Sequence, residues 1–392
     1  MLKGKNVLIG VCGGIAAYKA CELISLLKTE GCSIYTMMTR SAQEFITPLT
    51  LGTLTGHNVA CDMFNPPENY EVEHISLVAL ADVIILIPAT ANVIGKIACG
   101  IADDFLTTTV MASKAPCIIA PAMNTGMYEN PVVQENIAKL KDRGYLFVEP
   151  VNGRLACKTV GKGHLAPVEQ IFDAAEAATV KKDLSGKKVL VTAGPTREAI
   201  DPVRFISNRS TGKMGYAVAK AAKHRGAEVT LVTGHTEIEP PYGVKVVKIE
   251  SAVDMHREVI SRAADYDVII KSAAVGDFRP AIVSDNKIKK SDMGAIALEK
   301  NPDILAELGG MGLSAKLVGF SMETENLLEN SAKKLKEKNL DFIIANNLKT
   351  EGAGFGTDTN VVTVIGRDGA EELAIMSKQE VAHAIFDRIV KL

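Results

Sequence analysis

The sequence predicts an α/β fold with two doubly wound, Rossmann-like domains. Residues 5–39 and 187–234 each run strand, glycine-containing turn, helix, glycine and strand. Each helix has apolar residues at positions i, i+3, i+4 and i+7, namely Ala20, Leu23, Ile24 and Leu27 in the first and Met214, Ala217, Val218 and Ala221 in the second. This spacing gives a helix one apolar face to pack on a sheet. A chain of 392 residues is too long for one ordinary core, so two βαβ openings predict two domains.

Further strand-like runs extend both predicted sheets. They cover 83–87, 117–120 and 145–148 in the first half, and 244–249, 267–271, 316–320, 341–345 and 361–365 in the second. A polar run at 181–186 follows a helix that we expect to end near Val180. We therefore predict a first domain at 1–180, a linker at 181–186 and a second domain at 187–392.

The composition excludes several classes of protein. The net charge is −2, so no overall basic field favours nucleic acid or a membrane surface. The 7 cysteines are odd in number and form no C-x-x-C pair, which favours reduced thiols in the cytoplasm over a zinc site or a disulfide framework. The first residues run directly into a strand without a signal peptide pattern, and the apolar run at 83–89 is too short to span a bilayer. We expect a cytoplasmic enzyme.

Neither glycine turn is a dinucleotide fingerprint. The turns read G-V-C-G-G-I-A at 10–16 and A-G-P-T-R-E at 193–198, and neither contains G-x-G-x-x-G, which disfavours a nicotinamide dehydrogenase. A Gly-Gly turn before a helix suits a phosphate, because free N–H groups and the helix dipole point there. A tight turn that needs a flexible backbone explains the same glycines equally well.

Polar residues follow two predicted strands of the first half. The segments 88–104 and 121–127 leave the carboxyl ends of these strands, where doubly wound folds bind ligands. Thr90 and Asn92 offer hydrogen bonds, and the Asn124 amide suits a carboxylate; the alternative is that these residues cap helices.

Two further side chains of the first half are candidates for chemistry. His74 is either a structural or solvated histidine or a base that works near neutral pH. Cys157 lies in a glycine-rich stretch without periodicity, 149–164, which we interpret as a loop. There it is either an inert cysteine or one placed to meet a ligand.

In the second half, residues 194–215 end in S-T-G-K-M, which is similar to the end of a P-loop. A P-loop needs glycine where Ser207 stands and a serine or threonine where Met214 follows Lys213. The loop is therefore expected to bind a different anion.

The first half resembles the flavin-dependent cysteine decarboxylases, specifically phosphopantothenoylcysteine decarboxylase, over roughly residues 5–180. G-G-I-A-A-Y-K at 13–19, His74, P-A-T-A-N at 88–92, P-A-M-N-T-G-M at 121–127 and A-C at 156–157 carry the resemblance. It implies a three-layer α/β/α flavoprotein sheet. Two positions depart from the family pattern, since Lys158 follows the cysteine and His164 stands where an arginine is usual.

The resemblance also implies roles for individual residues. FMN is expected to contact Gly13, Gly14, Ile15, Thr39, Ser41, Thr90, Ala91, Asn92 and Ala122. Asn124 is expected to meet the substrate carboxylate, and Met123 and Met127 to lie in the substrate clamp. His74 would assist the oxidation and Cys157 would supply a proton.

The second half resembles phosphopantothenate–cysteine ligase over about residues 186–390. The matching segments are 194–215, 271–280, 286–290, 300–305, 319–326 and 335–347. Taken together, the chain resembles the bifunctional bacterial enzymes of coenzyme A synthesis, a carboxy-lyase joined to an acid–amino-acid ligase. The implied substrates are 4′-phosphopantothenate, cysteine and CTP with Mg²⁺.

By this resemblance, Asn208 stabilises the activated acyl intermediate and Arg204 lies near it. The run 208–213 suits the phosphate of 4′-phosphopantothenate, unless it is only a helix cap with surface charge. The residues expected around CTP are Ser272, Ala273, Asp277, Lys287, Pro302, Asp303, Ile304, Leu305, Phe320, Lys334 and Lys338. Lys287 suits the triphosphate and Asp277 a Mg²⁺ ion, although the lysines alone would equally suit a solvated surface.

The resemblance further implies a dodecamer, built from trimers of the first domain and dimers of the second.

Two other functions compete with this interpretation. One is a flavoprotein that decarboxylates C-terminal cysteines of peptides, which the attached ligase half disfavours. The other is a regulatory binding subunit, which the joint presence of His74, Asn124 and Cys157 disfavours.

Overall fold

The computed structural model describes residues 1–64, 73–154, 160–289, 295–323, 326–347 and 356–392. The chain divides into two compact units, Met1–Val180 and Lys181–Leu392.

The first unit alternates strands with helices, as its sequence pattern predicts. Its strands are β1 (Asn6–Val11), β2 (Ser33–Met38), β3 (Val59–Ala60), β4 (Val83–Ala89), β5 (Cys117–Pro121), β6 (Leu146–Phe147), β7 (Val151–Arg154) and β8 (Val160–His164). Its helices are α1 (Lys19–Thr29), α2 (Pro48–Thr55), α3 (Glu73–Leu80), α4 (Ala91–Cys99), α5 (Phe105–Ala112), α6 (Thr125–Tyr128), α7 (Pro131–Asp142) and α8 (Val168–Ala178), with 3₁₀ turns at Ile15–Tyr18 and Arg40–Glu44.

Six of these strands form one parallel sheet in the order β3-β2-β1-β4-β5-β6. This is the strand order of a Rossmann fold, in which the order reverses beside the first strand. Alternate residues of β1 enter two different cores: Val7 and Ile9 pack with α1 and α8, whereas Leu8 packs with α4 and α5. The predicted three-layer α/β/α sheet is therefore confirmed.

The prediction of an irregular loop at 149–164 is wrong at both ends of the segment. Strands β7 and β8 pair as an antiparallel hairpin outside the main sheet. Glycines interrupt the alternation of apolar and polar residues here, so the sequence gives no strand signal.

The second unit contains a larger sheet. Its strands are β9 (Lys188–Ala193), β10 (Arg197–Ala199), β11 (Phe205–Ser207), β12 (Glu228–Thr233), β13 (Lys245–Lys248), β14 (Val268–Lys271), β15 (Phe278–Pro280), β16 (Leu298–Lys300), β17 (Lys316–Glu323), β18 (Phe342–Asn347), β19 (Thr359–Asn360), β20 (Val362–Gly366), β21 (Gly369–Glu372) and β22 (Met376–Ser377). Its helices are α9 (Lys213–His224), α10 (Ala252–Ile260), α11 (Ile304–Gly310), α12 (Leu327–Glu337) and α13 (Lys378–Ile389), with a 3₁₀ turn at Ala263–Asp265.

Eight strands form the main sheet in the order β13-β12-β9-β14-β17-β18-β20-β21. They are parallel up to β18, and β20 and β21 then continue the sheet antiparallel. Helices α9 and α13 pack on one face, and α10, α11 and α12 pack on the other. The second unit is therefore a three-layer doubly wound domain too.

The polar segment that the sequence marks as a linker packs on the second unit. Leu184 is only 3% exposed and lies in the core beneath α9 and α13. The Lys182 ammonium donates to the carbonyl of His224, and the Leu184 amide donates to the carbonyl of Arg225. One apolar residue among charged ones gives no periodic signal, so this packing could not be read from the sequence.

A buried arginine connects this segment to the last helix. The Arg225 guanidinium is 6% exposed and donates to both carboxylate oxygens of Asp183, at 2.8 and 2.6 Å. It also donates to Asp387 at 2.6 Å and to the carbonyl of His383 at 3.0 Å. We expect Arg225→Ala to lower the free energy of unfolding by about 3 kcal/mol, because the Asp183 side chain, which is only 13% exposed, would lose its guanidinium partner.

The shift in the urea unfolding midpoint of the full chain, followed by circular dichroism, measures this loss. Arg257→Ala is the matched control. The side chain of Arg257 is 64% exposed and pairs with Asp254 at 3.0 Å, so its loss should cost less than about 1 kcal/mol. Equal midpoints for the two variants would contradict the prediction.

Candidate active sites

The first candidate site lies at the carboxyl edge of β1, β2, β4 and β5. After β1, the chain turns at Gly13, where an added Cβ would lie 2.5 Å from the Cβ of Ser41. Gly14 faces the next turn, since its Cβ would lie 3.8 Å from the Cγ2 of Thr90. Gly13 therefore lets the turns after β1 and β2 approach each other, whereas a side chain at Gly14 would make only an ordinary van der Waals contact with Thr90. This close approach suffices to explain Gly13, and phosphate binding there stays a prediction.

Helix caps account for several predicted ligands in this region. The Thr39 hydroxyl accepts from the Ala42 amide at 3.2 Å, and the Thr90 hydroxyl accepts from the Val93 amide at 3.4 Å. Asn124 caps α6, because its Oδ1 accepts from the Gly126 amide at 2.9 Å. The capping interpretation therefore holds for both Thr90 and Asn124. It leaves a ligand role open, since Thr90 is only half-buried and Asn124 is exposed.

The remaining predicted FMN residues lie at the same edge. The Ala122 amide donates to the carbonyl of Ala89 at 3.1 Å, which holds the exits of β5 and β4 together. Ile15, Ser41 and Asn92 are exposed, and Ala91 is half-buried at the first position of α4. The structure thus brings the whole predicted FMN set to one edge of the sheet.

The hairpin of β7 and β8 is fastened to the segment 121–127. The Met123 amide donates to the carbonyl of Gly163 at 3.0 Å, and an added Cβ on Gly163 would lie 2.2 Å from the Met123 carbonyl oxygen. An added Cβ on Gly161 would lie 2.5 Å from the Thr125 hydroxyl oxygen. Gly163 therefore allows backbone to approach backbone, whereas Gly161 leaves room for the Thr125 side chain. Met127, the other predicted clamp residue, is exposed on α6.

A charged cluster that sequence reasoning missed supports the same contact. The Glu149 carboxylate accepts a hydrogen bond from the Tyr128 hydroxyl and from Lys141, and Lys162 of β8 lies 3.7 Å away. Lys162 also lies 5.2 Å from the centre of the Tyr128 ring. Burial opposes ionisation, yet the bonds from Lys141 and Tyr128 hold the pKa of Glu149 below its usual value. No local pattern in the sequence joins these positions.

Of two predicted catalytic residues, the structure describes His74 only in its backbone and does not describe Cys157. His74 lies on α3, but its side chain is outside the described atoms. Cys157 and Lys158 lie in 155–159, outside the described residues, between the two strands of the hairpin. His164, the other departure from the family pattern, is exposed at the end of β8. The six described cysteines form no disulfide with one another, and burial raises the pKa of Cys12 and Cys117 to about 12, as expected for inert thiols.

The second candidate site lies at the carboxyl edge of β9 and β14. The turn after β9 is joined to the loop after β14, because the Ala274 amide donates to Gly194 at 3.0 Å and the Gly276 amide donates to the Thr196 hydroxyl at 2.9 Å. The Asn208 side-chain amide donates to the carbonyl of Ala274 at 3.1 Å. Asn208 is therefore held beside the segment 272–277 that the sequence predicts to bind CTP.

Arg204 has a structural role that the sequence did not predict. Its guanidinium donates to the Asp201 carboxylate at 2.9 and 2.5 Å and to the carbonyl of Ile288 at 2.8 Å. The Ile288 amide donates back to Asp201 at 3.2 Å, and hydrogen bonding by Arg204 holds the pKa of Asp201 well below its usual range. Arg204 thereby fixes the loop that carries the exposed Lys287.

The predicted nucleotide residues divide into exposed and buried ones. Asp277 is exposed, and its carboxylate forms no hydrogen bond or ion pair with any described residue. Ile304 and Leu305 are 1% and 7% exposed and belong to the core, so they can offer a ligand only their backbone. Ser272, Ala273, Pro302, Phe320 and Lys334 are half-buried.

Two other polar residues near this site are already paired. The Lys338 ammonium lies 2.8 Å from the Asp303 carboxylate, whose other oxygen caps α11. Lys213, at the start of α9, lies 2.7 Å from Asp358 and donates to the carbonyl of Gly356. The prediction that 208–213 binds a phosphate therefore gains no support from the Lys213 side chain.

The two sheets, each with a candidate site at its carboxyl edge, define the class of protein. It is a flavoprotein-type Rossmann unit joined to a second doubly wound unit. Family models agree: the model described as Flavoprotein matches residues 1–179, and that of the DNA/pantothenate metabolism flavoprotein C-terminal domain matches 184–392. The coenzyme A biosynthesis bifunctional protein CoaBC of Bacillus subtilis is 49% identical over 100% of this chain and 98% of its own length. The protein of the same name from Escherichia coli is 40% identical over 99% of this chain and 97% of its own.

Solved structures resemble the units separately. A C-terminal domain of the coenzyme A biosynthesis bifunctional protein CoaBC is 45% identical and covers 54% of this chain and 97% of its own, with a TM-score of 0.47. A PPC decarboxylase mutant complexed with pantothenoylaminoethenethiol is 30% identical and covers 44% of this chain and 97% of its own, with a TM-score of 0.40.

The chain belongs to the family of coenzyme A biosynthesis bifunctional proteins. This membership confirms the prediction of a bifunctional enzyme, a carboxy-lyase joined to a ligase, whose first unit is a flavoprotein. Within the described residues, no helix combines the length and apolar character that a membrane span requires.

Proposed function

We propose that the chain carries out two consecutive steps of coenzyme A biosynthesis. The second unit joins 4′-phosphopantothenate to cysteine at the expense of CTP, through an acyl-cytidylate. The first unit, with FMN, then decarboxylates the product to 4′-phosphopantetheine. The observation that carries this proposal is that the motif residues of each half lie at the carboxyl edge of that half's own sheet, where doubly wound folds bind ligands.

In the ligase, the substrate carboxylate attacks the α-phosphate of CTP and pyrophosphate leaves. Lys287 is exposed on a loop that Arg204 fixes. Its ammonium can therefore stabilise the negative charge that develops on the phosphates as pyrophosphate leaves. The Asp277 carboxylate, which pairs with none of the described residues, suits Mg²⁺, which prefers few carboxylates together with phosphate oxygens. The cysteine amine then attacks the acyl carbon and CMP leaves, and Asn208 would donate a hydrogen bond to the acyl-cytidylate.

In the decarboxylase, the cysteinyl carboxylate has no electron sink of its own. FMN would supply a hydride acceptor and donor next to the carbon that bears sulfur. The edge formed by Gly13, Thr39 and Thr90 would hold such a group, since the side chains of Ile15, Ser41 and Asn92 are exposed there and open to a ligand. Asn124 would hold the substrate carboxylate, His74 would assist the oxidation, and Cys157 would protonate the product during the final reduction.

We expect Cys157→Ser to release CO₂ but to accumulate the oxidised enethiol product, because the proton donor of the last step is lost. Mass spectrometry of the products beside a CO₂ assay measures both steps. Cys99→Ser is the matched control, because Cys99 is exposed on the first unit outside the predicted site. A normal yield of phosphopantetheine from Cys157→Ser would remove this role.

CO₂ release from 4′-phosphopantothenate and cysteine tests the whole proposal. It should require CTP, and the purified protein should show the visible absorption of FMN. Release of CO₂ from peptides ending in cysteine, without activity on phosphopantothenate, would favour a peptide decarboxylase instead.

We infer further that the protein is a homo-oligomer, a dodecamer of first-unit trimers and second-unit dimers. Large exposed apolar side chains on both units support association, among them Ile15, Tyr18, Phe205, Phe278 and Ile282. Analytical ultracentrifugation of the full chain should show the mass of twelve copies. A monomer at micromolar concentration would contradict the inference.

A further inference from the structure

Lys271 is the last residue of β14, at the carboxyl edge of the second sheet. Its Cα is paired with Thr192 of β9 and with Gly319 of β17. Side chains alternate along a strand, so Lys271 shares its face with Ile269, which packs in the core beneath α10, α11 and α12. An added Cβ on Gly319 would lie 2.8 Å from Leu305, so α11 packs directly on the sheet beside Lys271.

Four charged groups act on Lys271. Asp303 lies at the start of α11, Lys334 on α12, Lys338 just after α12, and Asp277 on the loop after β14. Burial is the main cause that lowers the pKa of Lys271 to about 8; Lys338 and Lys334 contribute to this shift, and Asp303 and Asp277 oppose it. Asp303 is already paired with Lys338 at 2.8 Å. None of the described residues forms a hydrogen bond or an ion pair with the Lys271 ammonium.

A half-buried ammonium without a partner is unfavourable, and a second lysine nearby makes it more so. Packing alone would be served as well by methionine at this position, without the desolvation of a charge. The arrangement becomes favourable when an anion joins the lysines. The carboxyl edge of β14 is also where this fold class binds its ligands.

We propose that Lys271 is a further anion-binding residue of the second unit and that its ammonium contacts the phosphate chain of the nucleoside triphosphate. This inference rests on the ligase function proposed above. It adds a fourth lysine to the three that the sequence analysis placed near the nucleotide, Lys287, Lys334 and Lys338.

The proposal has a pH signature with a defined sign. A lysine is charged below its pKa, and a bound phosphate favours the charged form. Triphosphate binding should therefore weaken as the pH rises through about 8, and binding in that range should take up a proton.

Titration calorimetry of CTP binding to the full chain at pH 7 and pH 9 tests the proposal. Lys271→Met should bind CTP roughly tenfold more weakly than wild type at pH 7, the effect of losing one charge-assisted hydrogen bond. Lys271→Arg should keep most of the affinity and lose the part of the pH dependence that Lys271 causes, because a guanidinium does not titrate here. Lys333→Met is the matched control, since Lys333 lies on α12 with a side chain that is 72% exposed.

Unchanged CTP affinity in Lys271→Met would overturn the proposal, provided that its decarboxylase activity and circular dichroism match wild type. If wild-type protein does not bind CTP, the proposed ligase function fails. Inorganic tripolyphosphate then serves as the probe for Lys271: weaker binding by Lys271→Met supports the anion site, and equal binding overturns it.

Discussion

Asn208→Asp is expected to lower CMP release from phosphopantothenate, cysteine and CTP by about a hundredfold or more. Loss of one hydrogen-bond donor to a developing oxyanion typically costs about 3 kcal/mol. An ionised aspartate can only accept hydrogen bonds, and it would add negative charge beside an intermediate that already carries a phosphate. The Asn208 amide also donates to the Ala274 carbonyl at 3.1 Å, and a carboxylate oxygen there would face that carbonyl oxygen without a proton between them.

Decarboxylation provides the control on the same preparation. CO₂ release from preformed phosphopantothenoylcysteine should stay at the wild-type level, because the first unit has its own site. Wild-type CMP release would remove Asn208 from the mechanism. A parallel loss of both activities would indicate misfolding or a shared site, and would contradict the assignment of one reaction to each unit.

Gly163→Ala is expected to reduce decarboxylation by about a hundredfold or more while ligation continues. The added Cβ would lie 2.2 Å from the Met123 carbonyl oxygen, and the backbone φ of +142° disfavours any side chain. Because the obstacle is backbone, the hairpin of β7 and β8 has to move away from the segment 121–127. A misplacement of about 1 Å at a catalytic group can cost a hundredfold in rate.

Gly144→Ala is the matched control for this change. Gly144 also has a positive φ, of +88°, but an added Cβ there meets nothing within 4 Å. It should therefore share the backbone strain, on the order of 1 kcal/mol, without displacing the hairpin. Steady-state CO₂ release by the two variants, beside CMP release, distinguishes displacement from strain. Equal decarboxylation rates would show that the close contact has no part in catalysis.

The sequence predicted the main sheets well because their signals are local. Apolar runs of four or five residues such as 83–87 and 117–120 became β4 and β5, and the amphipathic pattern beginning at Ala20 became α1. The extent of some predicted strands and the direction of others were not predicted. Only Leu146 and Phe147 of the run 145–148 form a strand, and 361–365 corresponds to β20, which is antiparallel to its neighbour. Strand direction depends on the partner, and no local pattern records it.

The candidate sites were predictable where a motif follows a strand. The Gly13 turn, the Thr90 segment and the segment beginning at Ala122 meet because parallel strands end at the same edge of a sheet. The side-chain partners were not predictable. Glu149 contacts Tyr128 and Lys162 only because the chain folds, and the spacing of these residues in the sequence does not predict the contacts.

The sequence by itself determined the two-domain α/β class, the turns that form the candidate sites and the family, because these depend on periodicity and on motifs within a few residues. Only the tertiary structure decided that 181–186 packs on the second unit, where Leu184 and Asp183 find partners. It also assigned Arg204 to Asp201 and left Lys271 without a partner among the described residues. Pairings of this kind join residues far apart in the chain, and their energy depends on burial and distance, which a linear sequence does not contain.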